Sequence, residues 1–128
     1  MFTLRENALV ALAMDVDQSS RRQRHWYVRQ KVWEALRCLV GTKQFRDRLA
    51  AAADPLSQLK HLHPHLLDEL PEDVRSKFAD TMVALTKHPP EWNGDSTFAA
   101  SVRRLTPRQR TKIAQNILEI YVAVSGGL

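Results

Sequence analysis

The chain holds one cysteine, four glycines and three isoleucines in 128 residues. A lone cysteine excludes a disulfide framework and any Cys-x-x-Cys zinc site. So few glycines leave no phosphate-cradling GxxxxGK[ST] loop, no GxGxxG dinucleotide turn and no GxSxG nucleophile elbow. Isoleucine is scarce and no segment alternates apolar and polar residues, so no convincing strand is found. No apolar stretch approaches the roughly 18 residues needed to cross a bilayer. The short apolar run Ala8 to Met14 follows Arg5 and Glu6 and meets Asp15 and Asp17. A secretory leader wants a cationic start, a longer apolar core and no early acid. A surface helix in a cytoplasmic chain is expected instead, and the unpaired Cys38 suits a reducing compartment.

What the chain does have is leucine and alanine, 16 and 14 of them, with 44% hydrophobic residues overall. Gly and Pro serve as punctuation between helical stretches. Thr3 and Glu6 form a capping box for a first helix. Ser19 or Ser20 caps a second, ending before Gly41, with Val28, Val32, Ala35, Leu36 and Leu39 as its buried stripe. A third helix is expected over about 43–53, with Phe45, Leu49 and Ala52 on one face. Asp54 and Pro55 read as a cap and first position of a short helix through Leu56, Leu59 and Leu62, stopped by Pro64. Residues 65–70 allow one more turn. Pro71-Glu72-Asp73 opens a helix carrying Val74, Phe78, Met82 and Leu85, with Lys87 and His88 in its last turn. Residues 89–95 form the longest loop, with an Asn93-Gly94 turn. A short helix with Phe98, Val102 and Leu105 follows. Thr106 and Gln109 make a second capping box, opening a final helix on Ile113, Ile117, Ile120 and Val124. The expectation is one all-α domain over 1–128, a compact bundle of six to seven short-to-medium helices.

Charge is distributed unevenly. Lys and Arg number 19 against 14 Asp and Glu, a formal +5. Residues 18–50 carry nine Lys/Arg against Glu34 and Asp47, a net of +7; residues 102–128 carry five against Glu119, a net of +4. Between them, residues 51–74 carry five acids against Lys60, a net of −4. Such blocks are either solvated helix faces or complementary surfaces for charged partners.

The segment RRQRHWYVRQKVWEALR over 21–37 is the most informative. At 100° per residue, Trp26 and Trp33 fall on one flank with Arg22, Arg29, Gln30 and Arg37. Cations for phosphates and aromatic faces for bases are what single-stranded nucleic acid contact requires. The competing reading makes both tryptophans boundary core residues with arginine stems packed over them. A second basic cluster, Arg103, Arg104, Arg108, Arg110 and Lys112, surrounds the Thr106-Pro107 corner, where a helix start with nearby cations suits phosphate. The string LTPRQR resembles the opening of the DNA-binding domain of LuxR-type response regulators. That resemblance covers about six residues, and IAQNILEIYVAV continues as one apolar helix with no turn and recognition helix, so no function is carried across.

His61, His63 and His65, with Asp68 and Glu69 nearby, are the one metal-like cluster. Their i, i+2, i+4 spacing around Pro64 suits neither one helix face nor an HExxH pair, so no metal is expected. Cys38 lies mid-helix and reads as a structural thiol. No catalytic residue and no cofactor is expected.

The sequence therefore leads to an expectation of a non-enzymatic helical accessory protein in a nucleoprotein assembly, holding DNA or RNA by its backbone. Its candidate contacts are Arg21, Arg22, Arg24, Trp26, Arg29, Trp33, Arg37, Arg103, Arg104, Arg108, Arg110 and Lys112. The alternative is a protein-interaction module or self-associating adaptor, its basic block meeting an acidic surface of a partner or of a second copy, with no membrane involved.

Overall fold

The computed structural model describes residues 26–126. The capping box at Thr3, the caps at Ser19 and Ser20, and Arg21, Arg22 and Arg24 lie outside the described residues. Six helices and no strand are found among the described residues. They are α1 (residues 26–38), α2 (Phe45–Leu62), α3 (Pro64–Asp68), α4 (Glu72–Leu85), α5 (Thr97–Arg103) and α6 (Pro107–Ser125). The result is the all-α bundle expected.

Helix α2 runs through its neighbours and touches α3, α4, α5 and α6, while α4 packs on α5 and α6. The core takes Val28, Val32 and Ala35 from α1, Leu49, Ala52, Ala53, Leu56 and Leu59 from α2, and Val74, Phe78, Met82 and Leu85 from α4. Ile113, Ile117, Ile120 and Val124 of α6 close it. Each set follows the i, i+3, i+4 spacing that puts side chains on one helix face. Leu36 and Leu39 lie half-buried at the edge of this core, beside Cys38.

Side-chain caps fix the starts of α5 and α6, while α2, α3 and α4 begin without one. Thr106 Oγ1 accepts from the Gln109 amide at 3.1 Å while Gln109 Oε1 accepts from the Thr106 amide at 2.8 Å, the reciprocal capping box with Pro107 following. Pro71 precedes α4, whose first turn holds Glu72 and Asp73. Ser96 caps α5, its hydroxyl accepting from the Ala99 amide at 3.0 Å. Gly94 has a φ of 91°, the left-handed turn that the Asn93-Gly94 pair predicts.

Three details of the reading are corrected. The helices expected over 43–53 and 54–62 are a single helix, with Pro55 inside it. An interior proline removes one amide donor and costs about 3 kcal/mol or more in isolation. Here the Pro55 ring is buried on the same face as Ala52 and Leu56, and Ala51, whose carbonyl loses its partner, is exposed to water. Burial along the unbroken face outweighs the lost bond. The end of α2 at Leu62, just before Pro64, and the further turn after it, α3, are as expected, with Pro64 as the first residue of α3. Leu62 and Phe45, placed on buried rows by spacing, are exposed at the two ends of α2. Lys87 and His88 lie beyond Leu85, where α4 stops.

The face assignment of α2 is directly testable. Leu56→Ala, at a fully buried position, is expected to lower unfolding free energy by about 2–5 kcal/mol. Leu62→Ala, at an exposed one, is expected to change it by under about 0.5 kcal/mol. Urea denaturation of both variants checks this, and equal losses would refute the assignment.

Candidate nucleic-acid interface

On α1 the core residues Val28, Val32 and Ala35 face inward, which leaves Trp26, Trp33 and Arg37 on the outer side of the helix. Trp26 is 53% exposed and Trp33 41%, so neither is a buried core residue. Trp33 leans on Tyr121 of α6, with ring centroids 5.6 Å apart and planes tilted by 39°. Arg29 and Arg37 are exposed and form no ion pair among the described residues. Lys31, on the other flank, is committed within the protein: its ammonium reaches Glu34 at 3.2 Å and Gln58 at 2.8 Å, and lies 5.8 Å from the Tyr27 ring centre. Arg48 of α2 is committed too, donating to the Lys43 carbonyl at 2.9 Å and to the Leu39 carbonyl, and so fixing the α1–α2 turn.

The second basic cluster divides into structural and exposed members. Arg103 forms a two-pronged link to Asp95, Nη1 to Oδ1 at 2.9 Å and Nη2 to Oδ2 at 2.6 Å, with Glu91 at 3.8 Å. Paired, parallel bonds of this kind are the strong form of a charged hydrogen bond. The same guanidinium lies 4.1 Å from the ring centre of Trp92. Asp95 Oδ2 also accepts the Glu91 amide at 2.9 Å. The link with Arg103 holds the Asp95 carboxyl well below the usual carboxylate range and pushes the Arg103 guanidinium up. Arg110 donates to the carbonyls of Val102 at 3.0 Å and Arg103 at 3.2 Å, satisfying the open end of α5. Arg104 is exposed and meets Glu91 at 3.2 Å. Arg108 and Lys112 are exposed with no ion pair among the described residues.

The structure thus gathers Trp26, Trp33, Arg29 and Arg37 on one helix and keeps Arg108 and Lys112 on the first turns of another. It turns Arg103 and Arg110 to internal work. Sequence reasoning passed over Trp92, 58% exposed in the loop after α4, because that loop has no helical period. It also passed over Ser101, buried in α5, whose hydroxyl accepts from the His88 amide at 2.9 Å and donates to the His88 carbonyl at 3.3 Å. Ser101 ties down the start of the loop as Arg103 ties down its end.

The histidines do not converge. His63 packs edge-on against Tyr27, 4.5 Å between ring centroids, and its ring lies 5.9 Å from that of His65. No group of three His, Cys, Asp or Glu side chains among the described residues is arranged to hold a metal ion. No helix among them is long and apolar enough to cross a membrane.

The fold and this surface define a class, a small α-helical bundle with an aromatic and basic outer helix. Compared with known proteins, the chain matches no family model, no curated protein and no solved structure.

The Asp95–Arg103 link sets an acid response. A carboxylate with a depressed native pKa contributes stability that is complete above its unfolded value, about 3.9, and is lost as pH falls through the native one. The Trp92 emission of a Trp26→Phe/Trp33→Phe variant is therefore expected to stay constant between about pH 7 and about pH 4. It changes only in stronger acid. Asp95→Asn, which removes the charge, is expected to raise Trp92 quenching by acrylamide at neutral pH; no rise would show that the link does not hold the loop.

Proposed function

We propose that this is a non-enzymatic accessory protein that holds single-stranded nucleic acid along the outer face of α1, by backbone charge and base stacking without reading sequence. One observation carries the reading: Trp26 and Trp33, seven residues apart, both stand about half in water on a face that also bears Arg29 and Arg37, which form no ion pair among the described residues. Two tryptophans one heptad apart are separated by about 10 Å along the helix axis, a spacing that accommodates bases stacked on both. Every base has a π-face, so such stacking is tolerant of sequence. Guanidinium groups beside them meet phosphates, which positions the strand. Arg108 and Lys112 at the start of α6 extend the cationic surface, and Arg104 joins them when its contact with Glu91 is exchanged for a phosphate.

A second reading, self-association, has its own support. Asp54, Asp68, Glu72 and Asp73 are exposed, so these members of the acidic block face outward, toward the basic block of a second copy. Sedimentation at low and high salt separates the two: a monomer in both removes self-association.

The nucleic-acid reading is tested by fluorescence anisotropy with a labelled single-stranded oligonucleotide across a salt series. Binding is expected to weaken with salt, and Arg29→Ala/Arg37→Ala to reduce the log–log slope by about 1.4, at about 0.7 per phosphate contact. Trp26→Ala is expected to weaken binding by about 1–3 kcal/mol at every salt concentration. Absence of salt-sensitive binding to DNA or RNA at low ionic strength would overturn the proposal.

A further inference from the structure

A pocket of about 230 Å³ opens between the start of α2, the middle of α5 and the loop that carries Trp92. We propose that it is a binding slot for a single purine nucleotide, preferring guanine, with the base against Trp92 and the phosphate on Arg46. None of the residues that build it belongs to the α1 face, so the slot stands independently of the strand contact proposed there.

The lining supplies three kinds of contact. Trp92 forms an aromatic wall, and its position is fixed by Arg103, which lies over the ring at 4.1 Å and is itself held by Asp95. Stacking gains most when the platform is ordered before the ligand arrives, because no side-chain entropy is then lost on binding. Ala50 and Ala99, small and apolar, line the space beside the wall and leave room for a flat ring. At the rim, Arg46 and Asp47 are exposed and make no ion pair among the described residues.

Each feature narrows the ligand. The volume lies below the roughly 300–1,000 Å³ of pockets that enclose drug-sized molecules, which suits one heteroaromatic ring system. An aromatic wall backed by a guanidinium is the environment that bases take in single-stranded recognition. Arg46 offers a planar fork to a phosphate. Asp47 accepts hydrogen bonds only, so it selects a base edge with donors, and guanine presents two adjacent N–H donors where adenine presents one amino group. Of the two lining arginines, Arg103 already gives its terminal donors to Asp95, so Arg46 beside a carboxylate and an indole wall is poorly matched to inorganic phosphate alone.

The same nucleotide chemistry comes from a free mononucleotide or from an unpaired residue within a strand, and one experiment covers both sources. In the Trp26→Phe/Trp33→Phe variant Trp92 is the sole tryptophan, and its emission, corrected for absorption by the base, reports the slot. Titrants are guanosine monophosphate, adenosine monophosphate, inorganic phosphate and a short guanine-containing single-stranded oligonucleotide. Saturable quenching by guanosine monophosphate, none by phosphate, and about tenfold weaker binding in Arg46→Ala are expected. Asp47→Asn is expected to reduce the preference for guanine over adenine by about fivefold or more. Tighter binding of the oligonucleotide assigns the slot to a strand, and tighter binding of the mononucleotide to a free ligand. No Trp92 response to any nucleotide, an equal response to phosphate alone, or unchanged affinity in Arg46→Ala overturns the proposal. Because the strand affinity of the α1 face is read separately from Arg29→Ala/Arg37→Ala, either idea fails without the other.

Discussion

Burial of one uninterrupted face along α2 is the constraint on which the bundle depends. Leu49, Ala52, Ala53, Leu56 and Leu59 are all fully buried, and four other helices pack around the helix that carries them. Alanines at two of these positions let neighbouring backbones approach, and Pro55 is tolerated because its ring contributes to the same buried face. The face also sets the register of everything at the ends of α2. With Leu49 in the core, Arg46 and Asp47 line the edge that faces α5 and Trp92. With Leu59 in the core, Leu62 points to water, and the chain breaks at His63 to begin α3. The local preference of a proline loses to three buried leucines, each worth about 1.5–3 kcal/mol, together with the two alanines between them.

The loop between α4 and α5 is held by a different kind of force. It has little apolar burial of its own; its ends are fixed by Ser101 and by the Asp95–Arg103 link, with Arg103 also covering Trp92. Polar contacts that satisfy both partners order a loop where hydrophobic contact is thin. One consequence is that an exposed tryptophan is held in a defined place rather than left to rotate, which is the property a stacking surface needs.

Much of the frame was legible in the sequence. The caps at Thr106 and Pro71, the Asn93-Gly94 turn, and the buried rows of α4 and α6 follow from side-chain chemistry within a few residues, and the structure keeps each of them. The fused α2 was not legible, because the choice between capping at Asp54 and continuing through Pro55 is decided by neighbours distant in sequence. The same is true of the arginines. Arg103 and Arg108 look alike in the string VRRLTPRQR, yet one is bound to a carboxylate eight residues earlier and the other is exposed. Whether Trp26 and Trp33 lie in the core or outside was open for a similar reason: periodicity places them relative to Val28 and Val32 but does not say whether another helix covers them.

Net charge is accordingly a poor measure of how much anion this protein attracts. Arginine's planar fork makes it the better residue for pinning carbonyls and carboxylates, and Arg48, Arg103 and Arg110 are used in that way. Their charge remains, but their donors are already occupied, so a phosphate approaching them competes with an existing bond. Arg29, Arg37, Arg46 and Arg108 carry no such cost. Arg29 and Arg37 share a face of α1 with exposed Trp26 and Trp33, and Arg46 lines the pocket beside Trp92. Leaving a tryptophan half in water forgoes part of the stability its burial would supply, at about 25 cal/mol per Å² of apolar area. That loss coincides twice with guanidinium groups that form no ion pair among the described residues, and this coincidence is what the proposed contact with nucleotides rests on.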